Sequence, residues 1–243
     1  VTSASTAMRH YLIVDDNRAF AENLGEILRD QGAEVTVAEG GGPALEQVAR
    51  RRFDALVTDM RMPLMGGAEL VHRIRRVDPE LPALVVTAHV EDRELEAARR
   101  EGLLAVLSKP VPIARLLDLL AVARRGGLVA VVEDDAALRD NLCEALRARG
   151  FSAVTAASVL ETDRLGPVVP CCALVDLRLP GGPDGEAMLR LAAKYPGLPL
   201  IVQSAYDAPP PVPAAAVFAK PFDTAALLAE VERRHASPHG SRA

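Results

Sequence analysis

Tryptophan is absent from the 243 residues and aromatic content is only 3%, so any core must be built from Ala, Val, Leu and Ile. Three cysteines in a chain of this length are too few for a disulfide framework, which excludes the small secreted scaffolds and points to a reducing, cytoplasmic home. No apolar run reaches the roughly 18 residues that a membrane-spanning helix needs, and the opening VTSASTAMRH lacks the apolar segment of a signal peptide. Positive charge is not in excess: 28 Lys and Arg against 33 Asp and Glu leave a net charge of −5. That balance excludes a nucleic-acid binder driven by phosphate neutralisation, and neither a nucleic-acid nor a membrane partner is expected. What is present, 49% hydrophobic and 25% charged residues, is ordinary for a soluble globular protein. The length suits two domains of about 100–150 residues each.

An internal repeat fixes the organisation. HYLIVDDNRAFAENLGEIL (10–28) returns as LVAVVEDDAALRDNLCEAL (128–146), and FDALVTDMRMP (53–63) as CCALVDLRLP (171–180). LPALVVTAH (81–89) returns as LPLIVQSAY (198–206), and LLAVLSKP (103–110) as AAVFAKP (215–221). One unit is therefore written twice, with the seam near Arg124-Arg125-Gly126-Gly127. We expect a flexible N-terminal tail over 1–9, a first domain over 10–125, a second over 126–236 and a flexible C-terminal tail over 237–243.

Each copy alternates short apolar runs with amphipathic stretches. In the first, LIV (12–14), VTV (35–37), ALVT (55–58), ALVVT (83–87) and AVLS (105–108) predict strands. They are Val- and Leu-rich throughout, as in a parallel sheet covered by helices on both faces. The intervening 18–31, 43–51, 67–77, 92–101 and 112–125 carry apolar residues three and four apart and predict helices. Successive βα units argue an α/β fold, each domain a doubly wound five-stranded parallel sheet whose site lies at the carboxyl ends of its strands.

The repeated polar residues fall at those ends. In the first copy they are Asp15, Asp16, Asp59, Thr87 and Lys109; in the second they are Glu133, Asp134, Asp176, Ser204 and Lys220. An isolated carboxylate there is as well explained by a helix cap. Three carboxylates, a hydroxyl and a lysine recurring in one chain order are not. Lysine usage sharpens the point, because only Lys109, Lys194 and Lys220 occur in the chain, and two of them precede proline at a strand end. An ammonium is a compact charge that can approach one anionic oxygen in a crowded site where a guanidinium fork cannot. Three clustered carboxylates repel one another, so such a site should raise their proton affinities or recruit a hard divalent ion such as Mg²⁺. With one ammonium and one Mg²⁺ it is neutral and can receive a phosphoryl group, toward which an Asp carboxylate is a competent nucleophile.

Both halves resemble the receiver domains of two-component response regulators, the CheY-like family with a flavodoxin-like fold. The likeness rests on the acidic pair after LIV or AVV, on D-x-x-x-P at Asp59–Pro63 and Asp176–Pro180, on Thr or Ser before Ala, and on Lys-Pro. It covers about 10–125 and 128–236. The resemblance implies Asp59 and Asp176 as phosphoacceptors. It also implies Mg²⁺ held by Asp15, Asp16 and Asp59 with the Arg61 backbone carbonyl, and by Glu133, Asp134 and Asp176 with that of Arg178. Thr87, Ser204, Lys109 and Lys220 would bond the phosphoryl oxygens. It implies a phosphohistidine donor, either a histidine kinase or a histidine phosphotransfer protein. The chain would then be a signal-transfer protein with no separate catalytic domain, monomeric or homodimeric, with output by protein–protein contact. A fragment of a hybrid histidine kinase remains open, as does a second domain acting as an unphosphorylated scaffold.

The copies also depart from the family. Val106 and Val217 stand where a switch aromatic is usual, and Phe218, one place later, faces the opposite side of its strand. A register using Asp134 and Asp135 is an alternative to Glu133 and Asp134. In the second copy YDAPPPVPAAA (206–216) replaces the fourth helix, since a helix interior cannot hold Pro209, Pro210, Pro211 and Pro213. Its second helix is shortened around Gly166-Pro167 and Pro170. Cys143, Cys171 and Cys172 read as buried hydrophobes, and Arg50-Arg51-Arg52 and Arg75-Arg76 as solvated helix ends. His89 and Tyr206 flank the two pockets. A haloacid-dehalogenase-type phosphatase would need a second Asp two residues beyond the nucleophile, where Arg61 and Arg178 stand.

Overall fold

The computed structural model describes residues 8–88, 93–205 and 209–237. The chain divides into two compact units, 1–99 with 103–125, and 100–102 with 126–243. In the first unit the elements run β1 (His10–Val14), α1 (Arg18–Asp30), β2 (Glu34–Ala38), α2 (Gly41–Arg50) and β3 (Ala55–Asp59). They continue with α3 (Gly67–Val77), β4 (Ala83–Thr87), α4 (Arg93–Arg100), β5 (Ala105–Ser108) and α5 (Ile113–Val122). The five strands pair in parallel in the order β2-β1-β3-β4-β5. Alternate side chains divide into two cores: Leu12, Val14, Leu56 and Val85 lie on one face, and Ile13, Val57, Leu84 and Val86 on the other. Both faces are dry because both are covered by helices, which is why the strands read as continuous apolar runs.

The second unit repeats the plan with β6 (Leu128–Val132), α6 (Ala136–Ala148), β7 (Ser152–Ala156), α7 (Val159–Thr162) and β8 (Cys172–Asp176). Then come α8 (Glu186–Lys194), β9 (Leu200–Ser204), β10 (Ala216–Ala219) and α9 (Thr224–Ala236). Its sheet, β10-β9-β8-β6-β7, is also all parallel. Both sheets thus have the same doubly wound order, the flavodoxin-like one, with the first strand of each unit second from its edge.

Departures between the units follow the prolines. Among the described residues no helix lies between β9 and β10, where Pro209, Pro210, Pro211 and Pro213 stand and Val212 and Ala214 pack on the core. Helix α7 has four residues. The carbonyls at and just beyond its C-terminus are met by Lys194 of α8, whose Nζ donates to Thr162 O at 3.4 Å and to Asp163 O and Leu165 O at 2.7 Å each. A cation at that end satisfies acceptors that a longer helix would have used itself.

One expectation is corrected. Arg75 is not solvated: it is only 7% exposed, and its guanidinium donates to Pro79 O at 3.1 Å and to Leu81 O. The chain leaving α3 turns back toward β4 and wraps two carbonyls around it. The three cysteines are buried and free, and no described helix is long and apolar enough to cross a membrane.

Candidate functional site: two acidic notches

The chain reverses strand order beside β1 and beside β6, and the crevice at such a switch point is where open α/β sheets bind. In the first unit β1 ends at Val14, so Asp15 and Asp16 follow at the rim, and β3 ends on Asp59 itself. Asn17 caps α1 by accepting from the Phe20 N–H at 3.1 Å. The same tight turn brings the Asn17 N–H to Asp15 Oδ1 at 2.8 Å. Asp15 Oδ2 then faces β5, where the Lys109 ammonium donates to it at 2.8 Å and lies 3.2 Å from Asp59 Oδ1. Lys109 also stands 4.5 Å from the centre of the Phe20 ring, an apolar platform that suits a cation. Asp15, Asp16 and Asp59 each offer an oxygen within 4.8 Å of the others. Asp59 pairs with Val86 in register, so buried Thr87 follows one residue later on the adjacent strand, and its carbonyl accepts from the Lys109 N–H at 2.8 Å.

The second notch is built the same way. Asp135 caps α6 through the Leu138 N–H at 3.0 Å, and its own N–H reaches Glu133 Oε1 at 3.3 Å. Asp135 therefore plays the part of Asn17, and the acidic cluster is Glu133, Asp134 and Asp176, again within 4.8 Å. Lys220 clamps more tightly than Lys109, at 2.7 Å from Glu133 Oε2 and 2.6 Å from Asp176 Oδ2. Asp176 Oδ1 accepts from the Arg178 N–H at 3.0 Å. Ser204 is buried at the end of β9, and its carbonyl accepts from the Lys220 N–H at 2.7 Å.

Burial is the leading reason that Asp59 binds its proton more tightly than an ordinary Asp; Lys109 opposes the effect and Asp15 reinforces it. Glu133 is raised likewise, by burial first and with Asp176 adding. The expectation named mutual repulsion as the cause, and it is the smaller one here. For both lysines burial pulls the other way, but their carboxylate partners outweigh it and the ammonium forms are strengthened. Each notch sets three carboxylates against one ammonium. A set of hard oxygen donors at this spacing fits a small divalent ion.

Arg61 and Arg178 lie two residues past Asp59 and Asp176 with exposed side chains, that of Arg178 paired to Asp184 at 2.9 Å. His89 and Tyr206 lie outside the described residues. Sequence reasoning missed Arg139, which donates to Glu133 O at 2.7 Å and Asp134 O at 3.3 Å; the aligned residue of the first copy is Ala21. It also missed Gln203, whose buried Oε1 has no partner among the described residues, where the first unit has Val86.

Two doubly wound sheets, each with an Asp-rich notch and a lysine at its strand ends, define a class of flavodoxin-like α/β proteins, and comparison with known proteins narrows it. The response regulator receiver domain family matches residues 11–121. The response regulator receiver protein Anae109_2439 of Anaeromyxobacter sp. (strain Fw109-5) is 69% identical over 228 residues, covering 94% of this chain and 96% of that one. Response regulator MprA of Mycobacterium leprae is 41% identical over 115 residues, 47% of this chain and 50% of its own length. Among solved structures, a CheY-like receiver domain protein from Methanospirillum hungatei is 27% identical, covers 47% of this chain and 92% of its own, and has a TM-score of 0.46. The chain belongs to the response regulator receiver family of two-component systems.

Proposed function

We propose that the chain is a cytoplasmic tandem receiver in a two-component phosphorelay, accepting phosphoryl groups on Asp59 and Asp176 from a histidine kinase or histidine phosphotransfer protein. The observation that carries this reading is the placement of Lys109 Nζ within 3.2 Å of Asp59 and 2.8 Å of Asp15, repeated by Lys220 with Glu133 and Asp176. A carboxylate oxygen of Asp59 forms the new bond to phosphorus as the phosphorus–nitrogen bond of phosphohistidine breaks, its electron pair staying on the imidazole. Lys109 and the Thr87 hydroxyl bond the transferred oxygens, and Asn17 and Lys109 hold Asp15 in place. Asp15, Asp16 and Asp59 with the Arg61 carbonyl, and Glu133, Asp134 and Asp176 with the Arg178 carbonyl, would hold Mg²⁺, which when bound supplies positive charge to the phosphoryl oxygens. The chain's chemistry is then phosphorylation of its own Asp, with output by protein–protein contact as a monomer or homodimer.

The test is intact mass after incubation with Mg²⁺ and acetyl phosphate, for wild type, Asp59→Ala and Asp176→Ala. Two phosphoryl groups in the wild type and one in each variant are expected, and none in the wild type refutes the reading. A scaffold role for the second unit is favoured by one observation: among the described residues it has no helix between β9 and β10, where the first unit has α4. Beryllofluoride binding to the Asp59→Ala chain separates the two, since a scaffold would bind none.

A further inference from the structure

We propose that Leu64 is the docking anchor through which the first unit engages its phosphohistidine-bearing donor protein, an inference that rests on Asp59 being a phosphoacceptor. Leu64 has φ 67° and is the non-glycine residue with positive φ among those described. The Met65 N–H donates to Pro63 O at 2.8 Å across it. A bond spanning two residues around a positive φ is the rarer and strained of the two γ-turn forms, and a bulky side chain in that region is a true outlier. Packing does not compensate, because Leu64 is 107% exposed. Its neighbours are pinned: Met62 is buried, Met65 packs on the core, and the Gly67 N–H donates to Met60 O at 2.8 Å. The loop therefore spends its rigidity on presenting an apolar side chain to water.

The second unit supplies an internal control. After Pro180, at the place where the first unit has Leu64 after Pro63, it has Gly181 with φ 95°, the residue that such a backbone ordinarily takes. Leucine in the first unit is thus not a requirement of the turn. Its position selects the occupant. Leu64 lies five residues past Asp59 on the loop leaving β3, and the Asp59 side chain is only 11% exposed. The notch is therefore entered at the edge where that loop begins, and a donor that carries its phosphoryl group on a protein-bound imidazole, with an apolar recess beside the histidine, would bury Leu64. A small donor reaches Asp59 without touching it.

Phosphorylated cytoplasmic cores of histidine kinases, screened for the one that transfers fastest to the wild-type chain, provide the probe. Leu64→Gly and Leu64→Asn, both suited to left-handed backbone, should lower kcat/KM for that core about tenfold or more, the effect of losing one buried leucine at an interface. Leu64→Met should keep most of it. Labelling of Asp59 by acetyl phosphate should stay within about twofold for all three, which also shows that the notch is intact. Unchanged transfer from the kinase core to Leu64→Gly and Leu64→Asn overturns the proposal. So does a wild-type chain labelled by acetyl phosphate but by no kinase core. A wild type that acetyl phosphate fails to label is instead the failure of the phosphoacceptor reading.

Discussion

Replacing Asp59 by Asn should change the sign of its effect on stability when Mg²⁺ is added. Without the ion, Asp15, Asp16 and Asp59 lie within 4.8 Å of one another against one ammonium 3.2 Å from Asp59. At an effective dielectric constant near 20, each carboxylate pair at that spacing repels by about 3.5 kcal/mol, and the Lys109–Asp59 pair attracts by about 5 kcal/mol. Asp16 is exposed, so solvent screens its share and the Coulomb terms on Asp59 roughly cancel. What remains is burial of the charge, the largest influence on this carboxyl. Asn keeps an oxygen for Lys109 and removes that penalty, so the variant should be more stable in EDTA by about 1–2 kcal/mol. With Mg²⁺ at a hundredfold excess over its Kd, the wild type gains about 2.7 kcal/mol by linkage. The variant, one carboxylate short, should bind the ion about a hundredfold more weakly and gain only about 0.4 kcal/mol, and the order reverses. Hydrogen exchange of peptides covering 10–14 and 55–59 reads the first unit apart from the second. A variant less stable than wild type in EDTA would refute the electrostatic reasoning.

Further outcomes are expected. In EDTA the first unit should lose stability as pH rises from below the ordinary Asp range through the raised Asp59 value, because the folded state holds that proton more tightly than the unfolded chain; Asp59→Asn should flatten this slope, as measured by urea midpoints against pH. Lys194→Met should free the carbonyls of Thr162, Asp163 and Leu165 and cost about 2–3 kcal/mol, seen as faster exchange over 157–168. Lys194→Arg should not restore it, since a fork does not converge on three oxygens. A Cβ on Gly67 would stand 2.3 Å from Asp59 O, so Gly67→Ala should shift the acceptor strand end and slow acetyl phosphate labelling by about tenfold or more, timed by intact mass.

Periodicity sufficed for the strands and for the sheet class, because a two-sided parallel sheet leaves its mark as unbroken Val and Leu runs. It sufficed also for the notches, since strand ends gather at one edge whatever the loops do. That no helix lies between β9 and β10 among the described residues was legible in four prolines. Arg75 was not: its burial depends on two carbonyls returning from the far side of a turn, and no pattern along the chain records that. The leading role of burial at Asp59 was equally hidden, because sequence reveals which charges meet but not how much water stays with them. Lys194 offered a signal that went unused, as its rarity matched that of Lys109 and Lys220. Leu64 offered none, since leucine does not announce a left-handed backbone as glycine or asparagine would.

The scarcity of lysine has a practical corollary. With amines at Lys109, Lys194 and Lys220, each nested against two or three oxygens, acylating reagents have few side-chain targets, and those targets are the fixed cations of the notches and the clasp on α7. Acylation would erase each charge. An amine-directed dye or biotin tag that reached one of them would cancel a cation of a notch or of the clasp, so a side-chain label for the molecule belongs on an engineered surface thiol.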